Sequence, residues 1–480
     1  MTSVPDLIKL SQIPVNFASV VETSLLEPVV NRDGTSSGAG FCRFELERKG
    51  FLHSQSKLFV SLTPPAGAAR SYFPLNIGVG SVIERATLKA GNQTLNEISD
   101  WSHLHMIKSA LIDNETNVER ELYTTGRVMN LKHIYSESVG GPASLNSFPL
   151  AKGGYGLDSG LEYQALNATG NEGRDGRMPQ FSLLEGAAPG ESPTYQIDLS
   201  DLFPFLKTHS LPLYMIDQPL QIELVWSPQR GHRICLPGGA VDNQDFALDT
   251  AETKFAADYI FYTDSDAMVR YADANPTIEF AFPDYRLSKS TLTVAQLREG
   301  VVRNLGMASR MVSRVLTTIS NDAQSQVSIL GKYNSIFPNR GATDTPPGKV
   351  VYNLRYNDRF EFPTSKTNPA ELFTHFTQSE GVPFVTREMY SREQGGLSGL
   401  FTFEGHSQTA DLAGRTFMLA TRLTNGRVGQ RGIELHLTMG RGADQGAGED
   451  MPAGTYTARS YCEYMRLARL SNGMFSVFNA

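Results

Sequence analysis

Two short runs, QIELVW at 221–226 and AADYIFY at 256–262, return later in the same order as GIELHL at 432–437 and YCEYMRL at 461–467. Glu223 and Glu434 stand 211 residues apart, and Asp258 and Glu463 stand 205 apart. The first and third runs alternate: Ile222, Leu224 and Trp226 against Gln221 and Glu223, then Ile433, Leu435, Leu437 and Met439 against Glu434, His436 and Thr438. A strand turns successive side chains to opposite faces, so a period of two marks strands with one face for a core and the other for water or a partner. Strands that recur in order at nearly one offset imply one architecture present twice. The duplication predicts a boundary near residue 270, where DSDAMVRYADANP (264–276) reads as a short connecting helix ending before Pro276.

The same alternation extends outward from these runs. Cys42, Phe44 and Leu46 alternate with Arg43, Glu45 and Glu47, and Ile278, Phe280 and Phe282 alternate with Glu279 and Ala281. Helical signals are few. In SDWSHLHMIKSALID (99–113), Trp101, Leu104, Ile107, Lys108 and Leu111 fall three and four apart behind Ser99 or Asp100 as a cap. TNPAELFTHFTQ (367–378) offers Asn368 as a cap, Pro369 at the first helical position and a stripe of Leu372, Phe373 and Phe376. Many strands with a few short helices predict an all-β chain of sandwiches with helices inserted in loops, not alternating β/α units.

Composition fits a folded, self-sufficient chain. Its 480 residues carry 43 basic and 50 acidic side chains, a net charge of −7, and only 19% are charged against roughly 25% in an ordinary domain. This argues against a strongly basic nucleic-acid coat, and no polybasic membrane anchor is present. At 52.7 kDa the chain can bury about three-quarters of its extended surface. The 43 glycines and 25 prolines fall between apolar runs as turn punctuation and do not pool in a tail. From Tyr271 onward there are 18 arginines, 4 lysines and 19 acids, a net of +3, which leaves −10 for the first half. The arginine fork favours interfaces and partly buried ion pairs, so this excess points to packing against other chains.

Cys42, Cys235 and Cys462 are odd in number and far apart, which argues against a disulfide framework and suits a reducing compartment. The opening MTSVPDLIKLSQIPVNFASVV has neither a continuous apolar stretch nor an Arg-rich pattern, so the expectation is no secretory or transit leader. No stretch of about 18 apolar residues is present to span a bilayer as a helix. Three N-x-T sequons, at Asn92, Asn114 and Asn167, are read as chance in the absence of a secretion signal.

Signatures of chemistry are near misses. TMGRGADQGAG has Gly440 and Gly442 but Gln445 where the dinucleotide fingerprint needs glycine. There is no phosphate loop, no G-x-S-x-G elbow and no C-x-x-C pair. Asp264 and Asp266 have a calcium-like interval, but Met268 stands where an oxygen ligand is due. His103 and His105 sit two apart on the predicted helix, point to different sides and read as packing residues. His53, His133, His209, His232, His375, His406 and His436 are dispersed, and paired carboxylates such as Asp113 with Glu115 or Glu449 with Asp450 read as solvated loops. Phe203, Phe205, Trp226 and Phe261 read as core and not as a sugar platform. The expectation is no enzyme, no catalytic residue, no cofactor and no metal site.

Four segments together resemble the double jelly-roll major capsid proteins of double-stranded DNA viruses, the group that includes large eukaryotic DNA viruses, virophages and polinton-like viruses. They are IERATLKAGNQTLNEISDWSHLHMIKSAL (83–111), IDLSDLFPFLKTHSLPLYMIDQPLQIELVW (197–226), AETKFAADYIFYTDSDAMVRYA (251–272) and VVYNLRYNDRFEFP (350–363). The family's closing strand corresponds here to Phe255, Asp258, Tyr259, Phe261, Asp264 and Asp266, with Ala267 where a charge is usual. The resemblance lies in the order of elements from about 40 to 365.

The resemblance implies two tandem eight-stranded antiparallel jelly rolls. The expected division is an N-terminal arm at 1–25, a first roll at 26–270 and a second at 271–480. Function follows as an expectation: homotrimeric, pseudo-hexagonal capsomers tiling an icosahedral virion shell assembled inside the host cell. Partners expected are neighbouring capsomers, penton and minor capsid proteins, and an internal membrane touched by the arm through Leu7, Ile8, Leu10, Ile13, Val15 and Phe17, with no sequence-specific nucleic acid. The polar, glycine-rich loop at 140–192 is expected to form outer towers. The alternative is a carbohydrate- or receptor-binding β-sandwich of a virion.

Overall fold

The period-two runs are strands in the computed structural model. It describes residues 19–63 (except 36), 71–72, 78–111, 124–125, 194–207, 210–228, 234–237, 244–262 (except 246), 265–321, 351–363, 375, 378–379, 419–438 (except 425) and 455–479. The expected arm before Ser19, the tower loop and most of the helix read at 367–378 lie outside these residues, as does Met439.

In chain order the first half carries β1 (Ser19–Leu26), β2 (Val30–Arg32), β3 (Gly40–Glu45), β4 (Phe51–Leu52), β5 (Lys57–Thr63), β6 (Ser71–Tyr72), β7 (Ile83–Ala90) and β8 (Gln93–Ser99). It continues with helix α1 (Trp101–Leu111), β9 (Thr194–Asp198), helices α2 (Leu199–Leu202) and α3 (Pro204–Lys207), β10 (Leu211–Pro212), β11 (Leu220–Trp226), β12 (Ile234–Pro237), β13 (Gln244–Asp245) and β14 (Ala247–Tyr262). Helix α4 (Ser265–Ala274) leads to the second half, where β15 (Thr277–Thr293), helix α5 (Val294–Glu299), β16 (Val301–Gly306), β17 (Val312–Asn321) and β18 (Val351–Tyr356) come first. The second half ends with β19 (Arg359–Phe360), β20 (Leu419–Arg422), β21 (Ile433–Thr438), β22 (Thr455–Ser471) and β23 (Met474–Asn479).

The two halves repeat one topology. In the first, β1, β14, β5 and β9 are neighbours in one sheet and β3, β11, β7 and β8 in another. In the second, β15, β22, β17 and β20 form one sheet and β16, β21, β18 and β19 the other. Counting these eight strands along each half, one sheet runs first, eighth, third, sixth and the other second, seventh, fourth, fifth. All the pairings are antiparallel. This is the jelly-roll order, present twice. The repeated runs occupy matching places: QIELVW and GIELHL are the seventh strands β11 and β21, while AADYIFY and YCEYMRL lie in the eighth strands β14 and β22.

Alternation becomes inside and outside as the period requires. Ile222, Leu224 and Trp226 are buried on β11, Cys42 and Phe44 on β3, and Ile433, Leu435 and Leu437 on β21. Phe44 packs on Phe255 across the first sandwich, ring centroids 5.8 Å apart. Burying each such side chain contributes about 1.5–3 kcal/mol, which is why register is held wherever one face is covered. The connecting helix read at 264–276 is α4, ending at Ala274 ahead of Pro276. Helix α5 opens on a capping box between Thr293 and Gln296.

One boundary differs from the sequence reading. Residues 19–25, expected in the arm, belong to β1, which pairs with β14 from Ser19 opposite Tyr262 to Leu26 opposite Phe255. No clean alternation marks the strand: Val20, Val21 and Leu25 are all exposed, and of its apolar side chains only Leu26, at its end, packs against the core.

Candidate assembly surfaces

The polar groups of this chain converge where the two rolls meet. Helix α1 enters from β8 at Asp100, whose carbonyl accepts from the backbone N–H of His103 and Leu104. Asp100, read as a cap, spends its carboxylate across the boundary: Arg459 Nε donates to Oδ2 at 2.7 Å, and Lys289 Nζ stands 3.8 Å away. Tyr461 Oη donates to the Asp100 carbonyl at 3.1 Å. The two histidines of α1 take different sides, as their spacing predicts. His103 Nε2 meets Thr318 Oγ1 at 2.7 Å, and His105 stacks on Trp101 with centroids 4.6 Å apart.

A second cluster forms between β8 and β15. Asn96 Nδ2 donates to Asp284 Oδ1 at 2.6 Å, and Oδ2 accepts from Arg466 at 2.8 Å and from Tyr464 Oη at 3.1 Å. Arg466 also donates to the Leu95 carbonyl at 3.1 Å. Burial pushes the Asp284 carboxyl up, against the pull of Arg466 and its hydrogen bonds. Beside this cluster, Phe205 of α3 lies edge-on to Phe280 and Phe282 of β15, at 5.7 and 4.6 Å.

The third cluster centres on Glu463. It accepts from Arg314 Nε at 2.9 Å, from Ser313 Oγ at 2.7 Å and from Tyr285 Oη. Desolvation works to raise its pKa, but the Arg314 charge and these hydrogen bonds outweigh it and hold the carboxyl low. Lys108 of α1 lies over the Tyr285 ring, Nζ 4.9 Å from the centroid, and desolvation pushes its pKa down to about 8. At the far edge, Arg48 pairs with Asp217 at 2.6 Å, and the Asp217 N–H donates to the Gly473 carbonyl at 2.8 Å. Gly473 has φ 73°, and a Cβ there would collide with the Asp217 carboxylate.

The outward faces of the two equivalent sheets differ. In the first roll the outer face of β3, β11, β7 and β8 carries ion pairs: Arg43 with Glu45 at 3.9 Å, Arg85 with Glu97 at 3.9 Å, and Lys89 with Glu223. In the second roll the corresponding face exposes Val302 and Phe360, with His436 edge-on to Phe360 at 5.1 Å and Arg355 3.6 Å from Glu434. Among the described residues, apolar side chains are also exposed on β1, the edge strand of the first roll (Val20, Val21 and Leu25), on α4 (Val269 and Tyr271) and on β23 (Met474 and Phe478).

Among the described residues no three His, Cys, Asp or Glu side chains group to hold a metal ion. The described histidines occupy separate settings: His103 and His105 at the boundary, His53 in the turn before β5, His375 against Phe362 and His436 on the outer face. Asp266 opens α4, while Asp264, the acidic pairs at 113–115 and 449–450, and His133, His209, His232 and His406 lie outside the described residues. Phe203, Phe205 and Trp226 are buried, and Phe261 is partly buried. No described helix is long and apolar enough to cross a membrane. Sequence reasoning missed the boundary clusters because their partners, such as Asp100 and Arg459, are hundreds of residues apart.

No protein-family model matches the sequence, and no curated protein matches it. Solved structures do. The PBCV-1 virus capsid aligns at 11% identity with a TM-score of 0.53, covering 97% of this chain and 98% of that one. The mavirus major capsid protein aligns at 12% identity and TM-score 0.50, covering 97% and 92%. A cryo-EM structure of the Sputnik virophage aligns at 11% and 0.51, covering 97% and 89%. The described residues have the double jelly-roll fold of these viral capsid proteins.

Proposed function

We propose that this chain is the major capsid protein of a double-stranded DNA virus, working by self-assembly and not by catalysis. The observation that carries the reading is the pair of jelly rolls of identical strand order, held to one another by the buried Asp100–Arg459 ion pair, the Asn96–Asp284 hydrogen bond and the aromatic contacts of Phe205. A subunit of two equivalent, rigidly joined blocks supplies six similar blocks when three copies close into a ring, and six-sided capsomers tile a hexagonal lattice. The likeness to viral capsid folds supports the same reading. The proposed division assigns residues before Ser19 to an arm, the strands through β14 to the first block, and those from β15 to the second. Neighbouring capsomers and minor shell proteins are the proposed partners, and the virion shell the proposed location.

Light scattering on the purified chain tests this directly. The reading requires a mass of about three times the 52.7 kDa of one chain. A monomer at every concentration up to those of assembly would overturn it.

A further inference from the structure

Within one chain, the fifth strand of the first roll meets the first strand of the second: β8 lies against β15, with the Asn96 to Asp284 hydrogen bond at its centre. Because both rolls share one strand order, the equivalent contact one step round a ring joins the fifth strand of the second roll, β19, to the first strand of the first roll, β1, in the next copy. The cross-strand registers carry the correspondence to single residues. Ile222 pairs with Leu88, which pairs with Asn96; its repeat counterpart Ile433 pairs with Tyr356, which pairs with Arg359. On the other side, Tyr464 pairs with Asp284, and its counterpart Tyr259 pairs with Glu22. Arg359 therefore stands where Asn96 stands, and Glu22 where Asp284 stands.

We infer that Arg359 of one copy pairs with Glu22 of the next, making β19 against β1 the contact that closes the capsomer ring. Several independent features favour a second copy of this chain as the occupant. The two side chains carry opposite charge, and both are exposed. Glu22 accepts from Lys49 Nζ at 2.5 Å and keeps 54% of its side chain open, leaving room for a second donor. Apolar side chains flank both positions: Val20, Val21 and Leu25 on β1, and Phe360 with the nearby Val302 on the second roll. By the same register Val20 holds the place of Phe282, which the first roll buries within the chain. The net charges of −10 and +3 on the two halves act in the same sense. A contact between two different patches is heterologous, and a heterologous contact that closes gives a ring.

The inference rests on the capsomer reading and is tested by charge exchange in the full chain. Glu22→Arg and Arg359→Glu each place like charges at the contact and are expected to raise the concentration for half-dissociation of the trimer about tenfold or more. The double variant Glu22→Arg/Arg359→Glu restores an opposite-charge pair and should return within about threefold of the parent. Circular dichroism on each variant confirms that the rolls remain folded. Trimers indifferent to either single change, or a double variant as weak as the two losses combined, would overturn this contact while leaving the trimer standing. A parent chain that never trimerises would instead remove the capsomer reading itself.

Discussion

Arg459 Nε donates a 2.7 Å hydrogen bond to Asp100 Oδ2, joining two rolls through side chains that are only 9% and 7% exposed. Such a pair gains little over a well-packed apolar replacement, but removing one partner strands the other as a buried charge. The contact therefore favours one relative placement of the two rolls above all others.

Arg459→Met should lower unfolding stability by about 3–5 kcal/mol, and Asp100→Asn by a similar amount. Lys289, 3.8 Å from Asp100, softens the loss in the first variant. Denaturant unfolding of both single variants and the double variant checks the coupling: the double should cost clearly less than the two singles added.

Phe205→Ala removes the ring that α3 lays on Phe280 and Phe282. The expected loss is about 3–5 kcal/mol. Because the lost contacts span the roll boundary, calorimetry should show one unfolding transition in the parent and a broadened or split transition in the variant.

Lys108 has a folded pKa near 8 against an unfolded 10.5, so the fold disfavours its charged form. Between those values the unfolded chain binds more protons, and stability from this group rises with pH across about 8 to 10.5. Below pH 8 the cost is present in full. Lys108→Met should raise stability at pH 7 and flatten the slope between pH 8 and 10, measured by denaturant midpoints.

Glu463 acts in the opposite range. Its folded pKa lies below the ordinary 4.5, so its stabilising contribution is present above pH 4.5 and is lost as pH falls through the folded value. Asp284, pushed up by burial, contributes most when protonated at low pH and loses that contribution as pH rises through its folded pKa. Glu463→Gln should therefore make the parent's acid-side loss of stability shallower, and Asp284→Asn should make it steeper.

Cys42 and Cys462 are buried, and desolvation pushes both thiols up to about 12. Neither should react with a thiol reagent at pH 8 while the chain is folded, and both should react after unfolding. Mass mapping of the labelled peptides reads the outcome.

The sandwich strands were legible because burial on one face leaves a period of two, and the repeat was legible because Ile222 and Ile433 occupy the same seventh-strand position. Helix α1 and helix α4 announced themselves through spacing and a following proline. Strand β1 escaped because its exposed Val20, Val21 and Leu25 obey no one-sided pattern. The boundary clusters escaped for a different reason: Asn96 with Asp284 and Asp100 with Arg459 become neighbours only after two distant rolls dock. Composition pointed to arginines packing against other chains; Arg314, Arg459 and Arg466 instead pair within the chain, near the junction of the rolls.

The central claim is that three chains present six equivalent blocks. Two-dimensional electron-microscopy averages of the purified oligomer, viewed down its axis, measure this most directly. The account predicts a closed ring of six similar lobes with threefold symmetry. Averages with three lobes, an open chain of subunits or a twofold dimer would contradict it.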